Sequence, residues 1–179
     1  VAFTGETTTA QTIMSKAANS LKRLTFELGG KSPNVVFADC NLDAAVNGSH
    51  FGLYFNQGQC CCAGSRVFVE EAIYDEFIER FAAGARALRV GNGLEPRTQM
   101  GPCVNASQLE TVESYVQIGK AEGARLLAGG SRLASGPHAK GYFHEPTIFG
   151  DCSPGMRVGS RPPTVTHSGL TPARARATC

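Results

Sequence analysis

The chain has 179 residues, of which 42% are hydrophobic and 18% are charged, and its formal net charge is +2. This composition is typical of a globular domain and excludes an intrinsically disordered chain. The small charge does not indicate nucleic-acid binding, and no apolar run approaches the roughly 20 residues of a membrane-spanning helix.

Strand and helix patterns alternate along the first part of the chain. Residues 1–5 are typical of the end of a buried strand, and apolar residues at helical spacing predict a helix over 7–18, with threonines available to cap it. Residues 22–28 alternate like a half-buried strand, and the apolar run 34–38 predicts a strand covered on both faces. A helix is expected over 42–55, capped by Asn41 or Asp39 and interrupted by two glycines that we expect to pack closely against another backbone.

The later part continues this pattern. Its predicted elements are a strand at 65–69, an amphipathic helix at 73–88, a loop at 91–102, a helix at 106–119, a strand at 125–128 and a loop at 129–141. The alternation predicts an α/β fold with a mainly parallel sheet and flanking helices.

The cysteines argue against a disulfide framework. Their number is odd and three of them are adjacent; they are Cys40, Cys60, Cys61, Cys62, Cys103, Cys152 and Cys179. The sequence has no C-x-x-C pair and no cysteine–histidine spacing of the zinc type, so we expect no metal site. Free thiols fit a reducing compartment, the cytoplasm or an organellar matrix.

Two segments suggest chemistry. Cys60–Cys62 lie between a polar glycine-bearing turn and a small-residue turn, where an accessible thiol suits a nucleophile; buried packing is an equally good interpretation of this triplet alone. Glu27 is a carboxylate among apolar neighbours and is followed by Gly29 and Gly30, which favours a part-buried functional group. The alternative interpretation is a solvent-facing glutamate on an edge strand. A thiol and a part-buried carboxylate can together form and hydrolyse a thioester.

Several segments, in this order, resemble the aldehyde dehydrogenase superfamily, whose members oxidise aldehydes with NAD(P). They are residues 3–5, the Glu27 motif through Pro33, the cysteine motif through Arg66, and residues 98–102, 119–124, 141–143 and 145–147. The resemblance covers the chain from Val1 to about Val158. It implies a central fragment of that Rossmann-like α/β fold.

The resemblance assigns roles to the two motifs. Cys61 matches the nucleophile, whose thiolate forms a thiohemiacetal and, after hydride transfer, a thioester. Glu27 matches the general base for thioester hydrolysis. The resemblance assigns no catalytic role to Cys60 and Cys62, which we expect to serve in packing or in redox chemistry.

The resemblance also implies a cofactor site, with NAD favoured over NADP. Gly5 and Glu6 match the turn where the family places the pyrophosphate near a helix N-terminus, and Leu28 and Gln108 match positions near the nicotinamide and a ribose. Glu6 departs from the family's serine, and Ala10 replaces a glycine. A carboxylate at this position places a negative charge close to the phosphate and is expected to weaken cofactor binding.

Phe55 and Gln59 flank the cysteines and are expected to line the aldehyde tunnel, although ordinary core packing would explain Phe55 as well. A cysteine–histidine hydrolase pairing has little support, because no histidine lies in a motif with the cysteines.

We expect three regions: residues 1–58 as part of the nucleotide-binding domain, 59–157 as part of the catalytic domain, and 158–179 as a disordered tail outside the family pattern. The expected partner is a small-molecule aldehyde, with no nucleic acid or membrane, and the parent enzyme is expected to be a homo-oligomer. For the chain alone we expect little or no dehydrogenase turnover. An inert fragment and a residual thiol esterase remain as alternatives.

Overall fold

The computed structural model describes residues 1–160, together with the backbone of 169–170 and 173–175. The strands are β1 (Ala2–Gly5), β2 (Thr25–Leu28), β3 (Pro33–Val36), β4 (Arg66–Glu70), β5 (Arg125–Ala128), β6 (Arg132–Leu133), β7 (Phe143–His144), β8 (Thr147–Gly150), β9 (Gly169–Leu170) and β10 (Ala173–Ala175). The helices are α1 (Thr7–Ala18), α2 (Leu42–Tyr54), α3 (Tyr74–Ala87), α4 (Ala106–Ala121) and α5 (Arg157–Ser160).

The predicted helices are confirmed, with ends that differ by at most two residues. Side-chain oxygens of Glu6, Asn41 and Asn105 accept backbone N–H groups in the first turns of α1, α2 and α4. The predicted threonine cap of α1 is therefore wrong, because the Glu6 carboxylate holds that position. None of the helices in the described residues is long and apolar enough to cross a membrane.

The α/β class is confirmed, and four of the six described strand pairs are parallel: β1–β2, β3–β4, β4–β10 and β8–β9. The antiparallel pairs are β5–β8 and β6–β7. The predicted loop 129–141 contains β6 and a 3₁₀ turn at Gly136–His138, and strands β7 and β8 were not predicted. Strand β7 has two residues and is too short to show alternation, and β8 is buried along its whole length. Neither strand therefore shows the alternating pattern by which a strand is predicted.

The main core lies between α2, α3 and β4. The apolar stripe predicted for α3 is buried at Tyr74, Phe77, Ile78, Phe81 and Ala85, and it packs on the inward side chains of β4 and α2. This core includes residues of β3 as well. One core therefore contains β3 and α2, which precede the predicted domain boundary at residue 58, and β4 and α3, which follow it. That boundary stays a prediction.

The β1–α1–β2 unit buries little surface. Ala10 is the one buried residue of α1, and β1 is largely exposed, so the predicted burial of β1 is wrong for the described residues. The reason is that, in the described part of the chain, β1 pairs with β2 alone in a two-stranded sheet. Most of the tail predicted to be disordered lies outside the described residues.

The helix glycines differ in what surrounds them. A Cβ at Gly48 or Gly52 would meet no atom within 4 Å in the described part of the chain, so the expected close backbone packing is wrong. Gly84 on α3 is the opposite case, because its Cβ would overlap the imidazole of His50. That ring stacks on Phe81 and Tyr54, with centroid distances of 4.3 and 5.7 Å, and has little room to move.

Gly84→Ala should therefore lower the free energy of unfolding by about 1–3 kcal/mol, the usual cost of overpacking a core. The matched control, Gly48→Ala, should raise it by about 0.5–1 kcal/mol, because alanine favours the helix and the site is open. Urea unfolding followed by circular dichroism measures both. Equal effects of the two substitutions would contradict this packing.

Candidate active site

The three adjacent cysteines form a turn between α2 and β4, which we call the thiol turn (Cys60–Ala63). A hydrogen bond from Ala63 N to Cys60 O, 3.0 Å long, closes it, so that Cys61 and Cys62 are its central residues. Cys61 and Cys62 are exposed and Cys60 is half-buried. The interpretation of the triplet as buried packing is therefore wrong, and Cys61 is accessible to a substrate.

The segment that leads into the thiol turn is unusual. Asn56, Gln57 and Gly58 have positive φ angles of 50°, 58° and 73°. A left-handed conformation costs roughly 1–2 kcal/mol at a residue with a Cβ, and asparagine tolerates it best among non-glycine residues. These three residues reverse the chain at the end of α2, and a bond from Gly64 N to Gly52 O (3.2 Å) anchors the far side of the turn to α2.

Cys60 and Cys62 interact directly. Their Sγ atoms are 3.5 Å apart. Hydrogen bonds from the backbone and thiol of Cys62 lower the pKa of Cys60, whereas donation to Cys60 and the charge of its thiolate raise the pKa of Cys62. The two residues beside Cys61 are thus joined by a hydrogen bond between their thiols.

Glu27 lies on β2 and is exposed, so the predicted part-burial of its carboxylate is wrong. The predicted alternation is confirmed, because Phe26 and Leu28 on the other face are half-buried. The exposure follows from the small β1–β2 sheet, in which Thr4 is the register partner of Glu27.

The Glu27 motif and the thiol turn meet through backbone contacts. A Cβ on Gly30 would lie 2.9 Å from the carbonyl oxygen of Cys61, so glycine is required for this approach. Beyond it, Arg66 Nε donates to Lys31 O at 2.8 Å, and Arg66 N donates to Ser32 O at 3.2 Å. The Glu27 motif leads into β3 and the thiol turn leads into β4. Because these two strands pair in parallel, both motifs lie at the amino-terminal end of the same sheet.

Gly30→Ala should disturb Cys61 with a small effect on folding. The added methyl group must push the Cys61 carbonyl away, and a misplacement near 1 Å can cost about 100-fold in rate. We expect acylation of Cys61 by an activated ester to slow by about 10–100-fold, measured by stopped-flow absorbance. Gly93→Ala is the control, since a Cβ there meets nothing within 4 Å; equal rates in the two variants would contradict the contact.

Three of the predicted cofactor residues lie together. Gly5 and Leu28 are register partners at the carboxyl edge of β1–β2, next to the N-terminus of α1. Glu6 occupies that N-terminus: its carboxylate accepts Thr9 N at 3.1 Å and the hydroxyl of Thr8, and these hydrogen bonds, mainly those from Thr8, lower its pKa. A phosphate at this position requires the carboxylate to move away.

Gln108 belongs to another element, the first turn of α4, which packs on β5 and α5. Phe55 is 58% exposed and its ring lies at a tilt to that of Phe51, with centroids 5.7 Å apart, so its interpretation as ordinary core is wrong for the described residues. Gln59 is half-buried and, with Cys103, lines a small cavity. The assigned roles of Gln108, Phe55 and Gln59 stay predictions.

An open cleft of about 480 Å³ lies between β3 and α2, and Cys62 and Gly64 stand at one end of it. Gly48 and Gly52 form part of its wall, which explains the free space around them. The cleft gives a small molecule room beside the thiol turn.

Lys31 is a half-buried lysine that was not among the predicted site residues. Its Nζ is enclosed and has no hydrogen-bond partner among the described residues. Burial, and secondarily the charge of Arg66, lowers the pKa of Lys31 to about 8. A lysine between two glycines and an apolar strand is the signal that could have identified it. The described histidines are engaged elsewhere, His50 in the core, His138 with Val90 O and His144 with Glu145 O.

Comparison with known proteins gives consistent matches. The model of the aldehyde dehydrogenase family matches residues 1–162. Human mitochondrial aldehyde dehydrogenase is 51% identical over 159 residues, which are 88% of this chain and 30% of that protein. Mouse retinal dehydrogenase 2 is 48% identical over the same shares of the two chains. The chain thus spans about a third of the length of these relatives.

Solved structures match the fold as well. Betaine aldehyde dehydrogenase from Staphylococcus aureus, in complex with NAD⁺, aligns with a TM-score of 0.94 and 36% identity, covering 99% of this chain and 35% of that one. An NAD⁺ complex of aldehyde dehydrogenase from Bacillus cereus aligns with a TM-score of 0.92 and 39% identity over the same shares. By its sequence and by its fold, this chain belongs to the aldehyde dehydrogenase family.

Proposed function

We propose that this chain supplies the nucleophile, the general base and part of the cofactor site for the NAD-dependent oxidation of an aldehyde to a carboxylic acid. The observation that carries the proposal is the approach of Gly30 to the Cys61 carbonyl, which joins the Glu27 motif to an exposed thiol. Because the chain spans about a third of its relatives, the complete reaction belongs to the whole family protein.

The reaction follows from the groups at the site. The Cys61 thiolate attacks the aldehyde carbon and gives the oxyanion of a thiohemiacetal, whose carbon–hydrogen bond then breaks with loss of hydride to leave a thioester. NAD⁺, when bound, accepts the hydride. Glu27 takes a proton from water as the water attacks the thioester, and the carboxylic acid leaves as the thiol is restored. The exposure of Glu27 leaves it open to water.

The cofactor site fits a dinucleotide in part. The edge that carries Gly5 and Leu28 and the N-terminus of α1 offer backbone N–H groups to a pyrophosphate, and relatives of this fold are known as NAD⁺ complexes. We favour NAD over NADP on this ground. Glu6 opposes binding, since its carboxylate occupies the helix N-terminus.

Glu6→Ser should therefore strengthen NAD⁺ binding about tenfold, because serine caps the helix without a charge that repels phosphate. Isothermal titration at low ionic strength measures it, and the gain should shrink as added salt screens the charge. Glu6→Gln separates charge from size and should give a similar gain. Unchanged or weaker binding in both variants would show that the carboxylate already points away from the phosphate.

A chimera tests the whole reaction. The 159 matched residues of this chain would replace the corresponding segment of the human mitochondrial relative, to which they are 51% identical. We expect aldehyde-dependent NADH formation, detected by absorbance. A folded chimera that binds NAD⁺ but forms no NADH would overturn the proposed function.

A thiol esterase is the second candidate, since an exposed Cys61 can be acylated without a nicotinamide. The substrate of the whole protein would be a small aldehyde, and a homo-oligomer is our expectation. For location we propose the cytoplasm or an organellar matrix, the latter because relatives such as the human one are mitochondrial by name.

A further inference from the structure

We propose that Cys60, Cys61 and Cys62 together form a reversible three-thiolate site for a soft divalent cation such as Zn²⁺, whose binding occupies the proposed nucleophile. The sequence predicted no metal site, because adjacent cysteines lack the spacing of known zinc motifs. The fold changes this expectation. The site depends on thiol geometry alone, and it holds whether or not the chain oxidises aldehydes.

The three sulfurs are already close enough to share one ion. Their Sγ atoms all lie within 4.8 Å of one another, and those of Cys60 and Cys62 are 3.5 Å apart. Zinc–thiolate bonds of about 2.3 Å in a tetrahedron place the sulfurs about 3.8 Å apart, so the observed spacings are within about 1 Å of a bound geometry. Thiolates select zinc and other soft cations over Mg²⁺ and Ca²⁺.

The turn itself limits how far the sulfurs can separate. The Ala63 N to Cys60 O hydrogen bond closes it, and the Gly64 N to Gly52 O bond anchors it to α2. Cys61 and Cys62 are exposed, so an ion can reach them from solvent. A tetrahedral ion with three protein sulfurs keeps its fourth position for water.

Binding has a chemical consequence for the thiol turn. Each sulfur that bonds to the ion loses its S–H proton to solvent, up to about three protons per ion. The lone pair of Cys61 is then held by the metal. Zinc would therefore block alkylation of Cys61 reversibly, and a chelator would restore it.

The test uses the full chain, with Cd²⁺ as a spectroscopic probe and Zn²⁺ as the competitor. We expect one Cd²⁺ per chain, an ultraviolet thiolate-to-metal charge-transfer band, and displacement of Cd²⁺ by Zn²⁺. Cys60→Ser, Cys61→Ser and Cys62→Ser should each weaken binding by at least about tenfold, since loss of a supporting contact alone costs about 10–100-fold. Cys40→Ser is the matched control and should bind as the unmodified chain does.

A second readout guards against misfolded variants. In the unmodified chain, Zn²⁺ should protect Cys60, Cys61 and Cys62 from iodoacetamide, as mapped by mass spectrometry, while Cys40 keeps its own alkylation rate. No saturable charge-transfer band, or equal loss of binding in Cys40→Ser, would overturn the proposal. Protection of Cys61 with unchanged alkylation of Cys60 and Cys62 would also contradict a three-thiolate site.

Discussion

Replacing Cys61 with serine should abolish the burst of product that an activated ester gives when it acylates the chain. We expect the acylation rate to fall by about three orders of magnitude or more. A serine hydroxyl at this exposed position lacks the adjacent base that would be needed to ionise it, whereas a thiol is a few per cent thiolate near neutral pH. Stopped-flow absorbance measures the burst, with a chelator present to keep metal ions from the thiol turn.

Cys40→Ser is the control for this experiment, because Cys40 is a half-buried thiol outside the turn. Its burst should match that of the unmodified chain. If Cys61→Ser kept the burst and Cys60→Ser or Cys62→Ser lost it, the nucleophile would be one of the neighbours. Cys60 is the neighbour to consider as nucleophile, since hydrogen bonds from Cys62 lower the pKa of Cys60.

Glu27→Gln should have the opposite kinetic signature: a normal burst followed by slow turnover. Glutamine keeps the size of the side chain but cannot take a proton from water, so hydrolysis of the acyl-enzyme should slow by about 10²–10⁴-fold. Mass spectrometry of the quenched protein would show the acyl group accumulating on Cys61.

Glu79→Gln on α3 is the control for general loss of a surface carboxylate, since Glu79 is exposed as Glu27 is. It should hydrolyse the acyl group at the normal rate. An acyl-enzyme of Glu27→Gln that disappears as fast as that of the unmodified chain would remove Glu27 from the role of base.

The sequence was a good guide wherever periodicity is long. The stripe on α3 recurs over four turns, and the predicted buried positions such as Phe77 and Phe81 are confirmed. It failed where burial depends on neighbours distant in sequence: β1 and Glu27 are exposed because the β1–β2 sheet has two strands, which no local pattern can reveal. At the start of α1, the Glu6 carboxylate and the threonine hydroxyls are both possible acceptors for the first backbone N–H groups, and the carboxylate holds the cap position.

The sequence named the candidate site residues, whose roles stay predictions, and it showed only part of their geometry. The order of motifs identified Cys61 and Glu27 through a family resemblance. The approach of Gly30 to the Cys61 carbonyl depends on the parallel pairing of β3 with β4, which is a long-range contact. The domain boundary at residue 58 remains a prediction, and the shared core of β3 and β4 leads us to propose the Gly29–Gly30 turn as a better position.

The pairing of β3 with β4 also fixes the number of residues between Cys61 and the core. Val67 and Val69 point inward because β4 alternates, and Asn34 and Val36 of β3 are their register partners. Inserting or deleting one residue between Cys61 and Val67 would turn these valines to the opposite face or move the cysteine away from Gly30. The sheet register therefore constrains the number of residues between Cys61 and the first buried valine of β4.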